Sequence, residues 1–125
     1  MIMITLTIEE IRNGILIPLR DIVTRLPVSR AVRIRLRDFR MHFGNPLGMT
    51  LHEFESRSNS TEGIVLTREE FSQFASSDMQ IIDGSIELEI QWGERTEKLL
   101  VECVDATLWE LSSESDDVME LIAEE

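Results

Sequence analysis

Residues 85–105 read SIELEIQWGERTEKLLVECVD, and their pattern is the strongest indication of fold class in the chain. In residues 85–92, SIELEIQW, apolar residues at every second position alternate with polar ones, which is the period of a β-strand with one buried face. The apolar positions are Ile86, Leu88, Ile90 and Trp92. GERTE predicts a turn and KLLVECVD the returning strand. We therefore expect an antiparallel hairpin, followed after a tight turn at Asp105 by a third strand, ATLWEL.

A second alternating stretch lies N-terminal to this hairpin. Residues 29–43, SRAVRIRLRDFRMHF, contain five arginines. Three of them alternate strictly with aliphatic residues: Val32, Arg33, Ile34, Arg35, Leu36 and Arg37. The spacing of Val32, Leu36, Phe39 and Phe43 also fits a helix. We favour a strand, because β-branched and aliphatic residues in strict alternation suit a pleated surface.

Helix-capping patterns occur twice. In LTIEEI, Thr7 and Glu10 have the spacing of a capping box, and Thr67 and Glu70 repeat it in LTREEF. Apolar residues three or four positions apart then predict an N-terminal helix, and they are Ile8, Ile11, Ile15, Leu19, Ile22 and Leu26. Pro18 should kink this helix or begin a second short one.

The remaining segments complete the fold prediction. GNPLG predicts a turn, MTLHEFES a short strand and SRSNSTEG a loop. In SSESDDVMELIAEE, Ser113 or Ser115 can cap a short C-terminal helix that packs inward through Val118, Leu121 and Ile122. We expect one α+β domain over residues 1–125, with a mainly antiparallel sheet of about 4–5 strands and N-terminal, middle and C-terminal helices packed on it.

Charge is divided unevenly along this chain of formal net charge −12. Residues 1–43 hold eight basic and four acidic groups, whereas residues 44–125 hold four basic and twenty acidic groups. The arginines at 33, 35 and 37 have two explanations. They can pair across strands with Glu87 and Glu89, or they can form a site for phosphate or nucleic acid. We favour pairing, because the acidic surroundings repel polyanions and no aromatic residue is among the outward-facing residues of this strand.

The sequence does not favour catalysis. His42 and His52 are the only histidines, and no nucleophile, phosphate-loop or metal-ligand spacing is present. We therefore expect no enzyme activity, cofactor or metal. The single cysteine, Cys103, lies in an apolar run and predicts a buried, reduced thiol. MIMITLTIEE lacks the features of a signal peptide or membrane anchor, so we expect a cytoplasmic protein without membrane association.

The acidic C-terminal part indicates a binding role. From residue 108 onward, seven carboxylates occur without a basic residue, and such a charge attracts basic proteins. The candidate partner-binding residues are Glu110, Asp116, Asp117, Glu120, Trp92 and Trp109. We expect a small acidic protein-binding domain, such as an inhibitor or immunity-type protein that neutralises a basic partner. A structural or accessory subunit that forms a homodimer is the alternative, and nucleic-acid binding through the arginines comes third.

Overall fold

Strands contain more residues than helices in the computed structural model, which describes residues 3–123. In chain order the strands are β1 (Ile4–Ile8), β2 (Ile11–Arg12), β3 (Ile15–Leu16), β4 (Ala31–Phe43), β5 (Ile64–Leu66), β6 (Gln80–Trp92), β7 (Arg95–Val104) and β8 (Leu108–Ser113). The helices are α1 (Leu19–Val23), α2 (Leu51–Ser58), α3 (Arg68–Ser76) and α4 (Asp116–Ala123). Short 3-10 turns occupy Val28–Arg30 and Pro46–Gly48.

The main sheet is antiparallel, in the order β1-β8-β7-β6-β4-β5, and β2 and β3 form a separate small hairpin. Buried side chains from the helices and from one face of the sheet form a single hydrophobic core. We call this helix-bearing side the covered face. The other face of the sheet carries no helix, and we call it the open face. The predicted α+β class is correct, but the sheet has six strands rather than 4–5.

The predicted hairpin forms as β6 and β7, with Ile86 opposite Val101 and Leu88 opposite Leu99. These four side chains are at most 1% exposed. The third strand is β8, which pairs with β7 after a turn in which Asp105 has a φ of 52°. All three strand predictions are confirmed because each strand buries one alternating face against the same core.

The arginine-rich stretch is a strand, as predicted, and it extends over the whole of β4. Ile34 and Leu36 are at most 1% exposed. A register shift follows at Asp38, which has a φ of 56°. This bulge turns Phe39 into the core over Gly84, where an added Cβ would lie 2.7 Å from the Phe39 ring. The glycine is therefore required by the close approach of the ring.

The predicted N-terminal helix is wrong. Thr7 lies within β1 and faces Glu110 of β8. Asn13 and Gly14, with φ values of 55° and 78°, then turn the chain between β2 and β3. Helix appears only in α1, which follows Pro18 at its N-cap position. ITLTI also has strand alternation, and pairing of β1 with β8 satisfies it.

The predicted strand in MTLHEFES is also wrong, because residues 51–58 form α2. Thr50 caps this helix by accepting a hydrogen bond from the Glu53 N–H at 3.2 Å. Polar side chains of α2 then bind the main chain of β4 beyond the point where β5 ends. Ser58 Oγ accepts from the Phe39 N–H at 3.1 Å, and Glu55 Oε2 accepts from the Met41 N–H at 2.8 Å.

The middle and C-terminal helices form where they were predicted. The complete capping box joins Thr67 and Glu70 at the start of α3. At α4, Ser115 Oγ accepts a hydrogen bond from the Val118 N–H at 3.3 Å, which identifies Ser115 as the capping serine. Val118 and Ile122 are at most 2% exposed. The helix therefore packs inward through two of the three residues predicted from the sequence, whereas Leu121 is only half-buried and Met119 is buried instead.

Candidate functional site

The open face brings the arginines of β4 next to the glutamates of β6. Arg33 lies opposite Glu89 and Arg35 opposite Glu87 in the strand register. A groove of about 760 Å³ crosses this face, and it is lined by residues of β4, β6, β7 and β8 together with Met3. The open face is therefore concave where β4, β6, β7 and β8 lie side by side.

Two arginines of β4 form ion pairs on the open face. Arg37 Nε lies 3.0 Å from Glu87 Oε1, although the two atoms are not aligned for a hydrogen bond. Arg40 lies 2.7 Å from Asp83. Arg33 and Arg35 have no carboxylate within 4.0 Å among residues 3–123. The predicted internal pairing is therefore correct for Arg37 and wrong for Arg33 and Arg35 in this conformation.

Charge on the open face is balanced. Alternation along the strands directs five basic side chains to it, Arg33, Arg35, Arg37, Arg40 and Lys98. Five acidic side chains point to the same face, Asp83, Glu87, Glu89, Glu102 and Glu110. Every Phe and Trp of β4, β6 and β8 belongs to the covered face or its rim. The open face therefore lacks both the net positive charge and the stacking side chains that bind single-stranded nucleic acid.

Acidic residues concentrate at the end of the sheet that carries β1, β8 and α4. We call this the acidic end and define it by Glu110, Glu114, Asp116, Asp117 and Glu120. Residues 108–123 contain no basic side chain. Asp117 lies 3.1 Å from Arg95 of β7. The other four carboxylates have no basic group within 4.0 Å in the part of the chain that the structure describes.

The structure divides the predicted acidic residues between two faces. Glu110 alternates with the buried Trp109 and Leu111, so its side chain points to the open face. Helix α4 packs on the covered face, where Asp116 and Glu120 are exposed. These two are four residues apart and share one flank of the helix. Glu110 lies opposite Thr7 of β1, and α4 packs against both β8 and β1, so both groups lie near the same edge strand.

The two tryptophans have different positions. Trp109 is only 2% exposed, and its indole N–H donates to the Ile17 carbonyl at 2.9 Å. This buried position removes Trp109 from the surface that a partner can contact. Trp92 is half-buried at the end of β6, where the Arg30 guanidinium lies 4.6 Å from the centre of its ring. Trp92 remains accessible, but it lies far along the sheet order from β1.

Sequence analysis missed the free edge of β1. This strand pairs with β8 alone, and no backbone hydrogen bond joins it to any other segment within residues 3–123. Thr5 and Thr7 are exposed, and Ile4 and Leu6 are only half-buried. Met3, just before the strand, is 52% exposed. The alternation in ITLTI indicates this strand in the sequence, but the capping and helical spacings in the same segment favour a helix.

The described residues offer little for catalysis. No group of three or more His, Cys, Asp or Glu side chains within residues 3–123 is arranged to hold a metal ion. His42 and His52 are exposed on different elements. Cys103 is 3% exposed and borders a second cavity of about 260 Å³. Burial raises the pKa of its thiol to about 12, so the reactive thiolate is suppressed.

None of the described helices is both long and apolar enough to cross a bilayer. Comparisons with protein-family models, curated proteins and solved structures find no match to this chain.

Proposed function

We propose that this protein is a binding domain that recognises a basic protein through its acidic end and neutralises that partner, as an inhibitor or immunity-type protein does. The observation that supports the proposal most is the charge of β8, α4 and the segment between them. Five carboxylates lie within residues 108–123 without a basic residue, and of these only Asp117 pairs with a cation among the residues that the structure describes.

Uncompensated carboxylates are suited to recognition at a distance. Exposed charges of one sign add their potentials and increase the association rate of an oppositely charged partner. Asp116 and Glu120 are exposed on one flank of α4, where they need no conformational change to meet a cation. The balanced open face, in contrast, gives no comparable attraction to a polyanion.

The test is kinetic binding to a defined probe, the protein encoded by the gene adjacent to this one. The variant Asp116→Asn/Glu120→Gln removes two free carboxylates of the acidic end. We expect it to reduce the association rate severalfold, by about 3- to 10-fold at low salt, with a smaller effect on dissociation. The difference should diminish as added salt shortens the Debye length below about 8 Å.

The matched control is Glu62→Gln/Glu69→Gln. It removes the same charge from two exposed positions outside the acidic end, one before β5 and one in α3. It should alter the association rate much less. Equal effects of the two variants, or binding that is indifferent to salt, would contradict recognition through the acidic end. Absence of any binding to this probe would contradict the proposed partner.

Self-association is a second candidate function, and the free edge of β1 is the observation that favours it. Two copies could join their β1 strands into one continuous sheet. Sedimentation velocity over a range of protein concentrations tests this directly. A dimer that dissociates on dilution and is lost in Thr5→Lys/Thr7→Lys would support an accessory subunit, and a monomer at all concentrations would exclude it.

A further inference from the structure

We infer that the free edge of β1 is a docking site for a basic, extended segment of the partner, which adds a seventh strand to the sheet. The inference rests on the proposed function and specifies how the acidic end engages its partner. It combines two observations, an unpaired strand edge and carboxylates that border this edge on both faces of the sheet.

The strand itself is suited to pairing. In an antiparallel sheet, successive residues of an edge strand direct their main-chain N–H and C=O groups alternately to the neighbouring strand and to solvent. The five residues of β1 therefore offer about five outward hydrogen-bonding groups along about 17 Å. Residues 4–8 contain no charge, proline or glycine. Charged side chains and prolines protect the edges of many natural sheets against added strands, and β1 has neither.

The opposite end of the sheet offers a shorter edge, because its edge strand β5 has only three residues and pairs with β4 only over Ile34–Leu36. Beyond this point the β4 main chain is bound by Ser58 and Glu55 of α2. A strand that paired with β4 there would have to displace these bonds, whereas a strand that docks on β1 displaces none. The longer accessible edge is therefore the one at the acidic end.

Charge identifies the occupant. A strand added to β1 would point alternate side chains to each face of the sheet. On the open face they approach Glu110, which lies opposite Thr7 on the neighbouring strand. On the covered face they approach α4, which packs against β8 and β1 and on which Asp116 and Glu120 are exposed. Lysine or arginine at either set of positions would meet a free carboxylate.

A second copy of this chain fits the same edge less well. Two β1 strands joined about a two-fold axis would place one α4 beside the other. The exposed Asp116 and Glu120 of each copy would then face like charges, and such contacts reduce affinity. A cationic strand of the partner therefore suits this edge better than a second copy of the chain.

The probe is an eight-residue peptide of alternating lysine and valine, acetylated and amidated at its ends. Amide hydrogen exchange, followed residue by residue on the full chain, should slow in β1 when the peptide is added at low salt. The same peptide with N-methyl groups at alternate residues keeps its charge but loses donors, and it should give no protection. A glutamate–valine peptide should not bind.

Two charge-matched variants locate the site. Thr5→Lys/Thr7→Lys adds positive charge to exposed positions of β1, and it should weaken peptide binding by at least about tenfold. Ser60→Lys/Thr61→Lys adds the same charge to the exposed loop after α2, and it should leave binding nearly unchanged. Circular dichroism establishes that both variants keep their fold.

Three results would overturn the inference. One is binding of the N-methylated peptide with equal affinity, which would leave charge attraction without strand pairing. Another is the absence of β1 protection at saturating lysine–valine peptide. The third is protection of β1 in the protein alone that rises with protein concentration, which would assign the edge to a second copy. Salt-dependent binding of the adjacent-gene product without β1 protection would retain the proposed function and reject this inference alone.

Discussion

Ser58→Ala tests how α2 closes the edge of β4. Ser58 is fully buried, and its hydroxyl accepts from the Phe39 N–H at 3.1 Å while donating to the Glu55 carbonyl at 3.0 Å. Alanine removes the acceptor and leaves the Phe39 N–H without a partner in the core. A buried donor without a partner costs about 1–3 kcal/mol.

Alanine also favours helix more than serine does, by about 0.5 kcal/mol, so the net loss in the free energy of unfolding should be about 0.5–2.5 kcal/mol. With a urea dependence of about 2 kcal/mol per molar, a loss of about 1.5 kcal/mol lowers the denaturation midpoint by about 0.7 M. Urea denaturation followed by tryptophan fluorescence measures this shift. Ser60→Ala, at an exposed position just beyond the helix, is the control and should shift the midpoint little.

A midpoint for Ser58→Ala at or above that of the unmodified protein would refute the reasoning. It would mean that the Phe39 N–H finds another acceptor, so that α2 does not protect this edge through Ser58. A change in the slope of the urea dependence would instead indicate an altered unfolded state.

Two further predictions concern single residues. Thr67→Ala should reduce the free energy of unfolding by about 1 kcal/mol, because Thr67 caps α3. Thr7→Ala removes no cap and should have less effect. Thermal denaturation compares the two variants. Cys103 should resist iodoacetamide at pH 9 in the folded protein and react quickly in urea. Because the folded thiol keeps its proton to about pH 12, against 9.0 for the ordinary thiol, the stability that Cys103 contributes should decrease as pH rises between these values, and Cys103→Ala should lessen that decrease.

The parts of the fold that followed from the sequence are those in which one local pattern dominates. In residues 85–92 of β6 the alternation is uninterrupted, and helical spacing does not compete with it. Thr67 and Glu70 satisfy the capping box within four residues, so α3 depends little on the rest of the chain. Predictions of this kind need no knowledge of distant contacts.

Residues 7–26 carried two patterns at once. Ile8, Ile11 and Ile15 have helical spacing, while residues 4–8 also alternate as a strand. The choice was decided by the edge of β8, which supplies hydrogen bonds to β1, and by the turn at Asn13 and Gly14. Pairing between residues about a hundred positions apart is not visible in a local pattern, so spacing alone favoured the wrong element.

The sequence predicted which acidic residues belong to the candidate site but not where they lie relative to one another. The acidic residues were identified correctly as a concentration of charge, yet only the packing of α4 on the covered face separates Asp116 and Glu120 from Glu110. The position of Trp109 likewise depends on Ile17, whose carbonyl accepts a hydrogen bond from the indole N–H although the two residues are far apart in sequence. Side-chain identity indicated a binding residue, and burial assigns Trp109 to the core.

The contrast between the two ends of the sheet connects stability with the proposed binding. At the β4 end, α2 contributes both apolar packing through Phe54 and hydrogen bonds through Ser58 and Glu55, so a strand that pairs with β4 beyond β5 must first break contacts that hold the fold. At the β1 end, docking requires only that water leave the main-chain groups of residues 4–8. Binding there has a small reorganisation cost, and carboxylates on both faces accelerate the approach of a cationic segment. Fast, salt-sensitive association and slow exchange of β1 amides in the complex should therefore occur together.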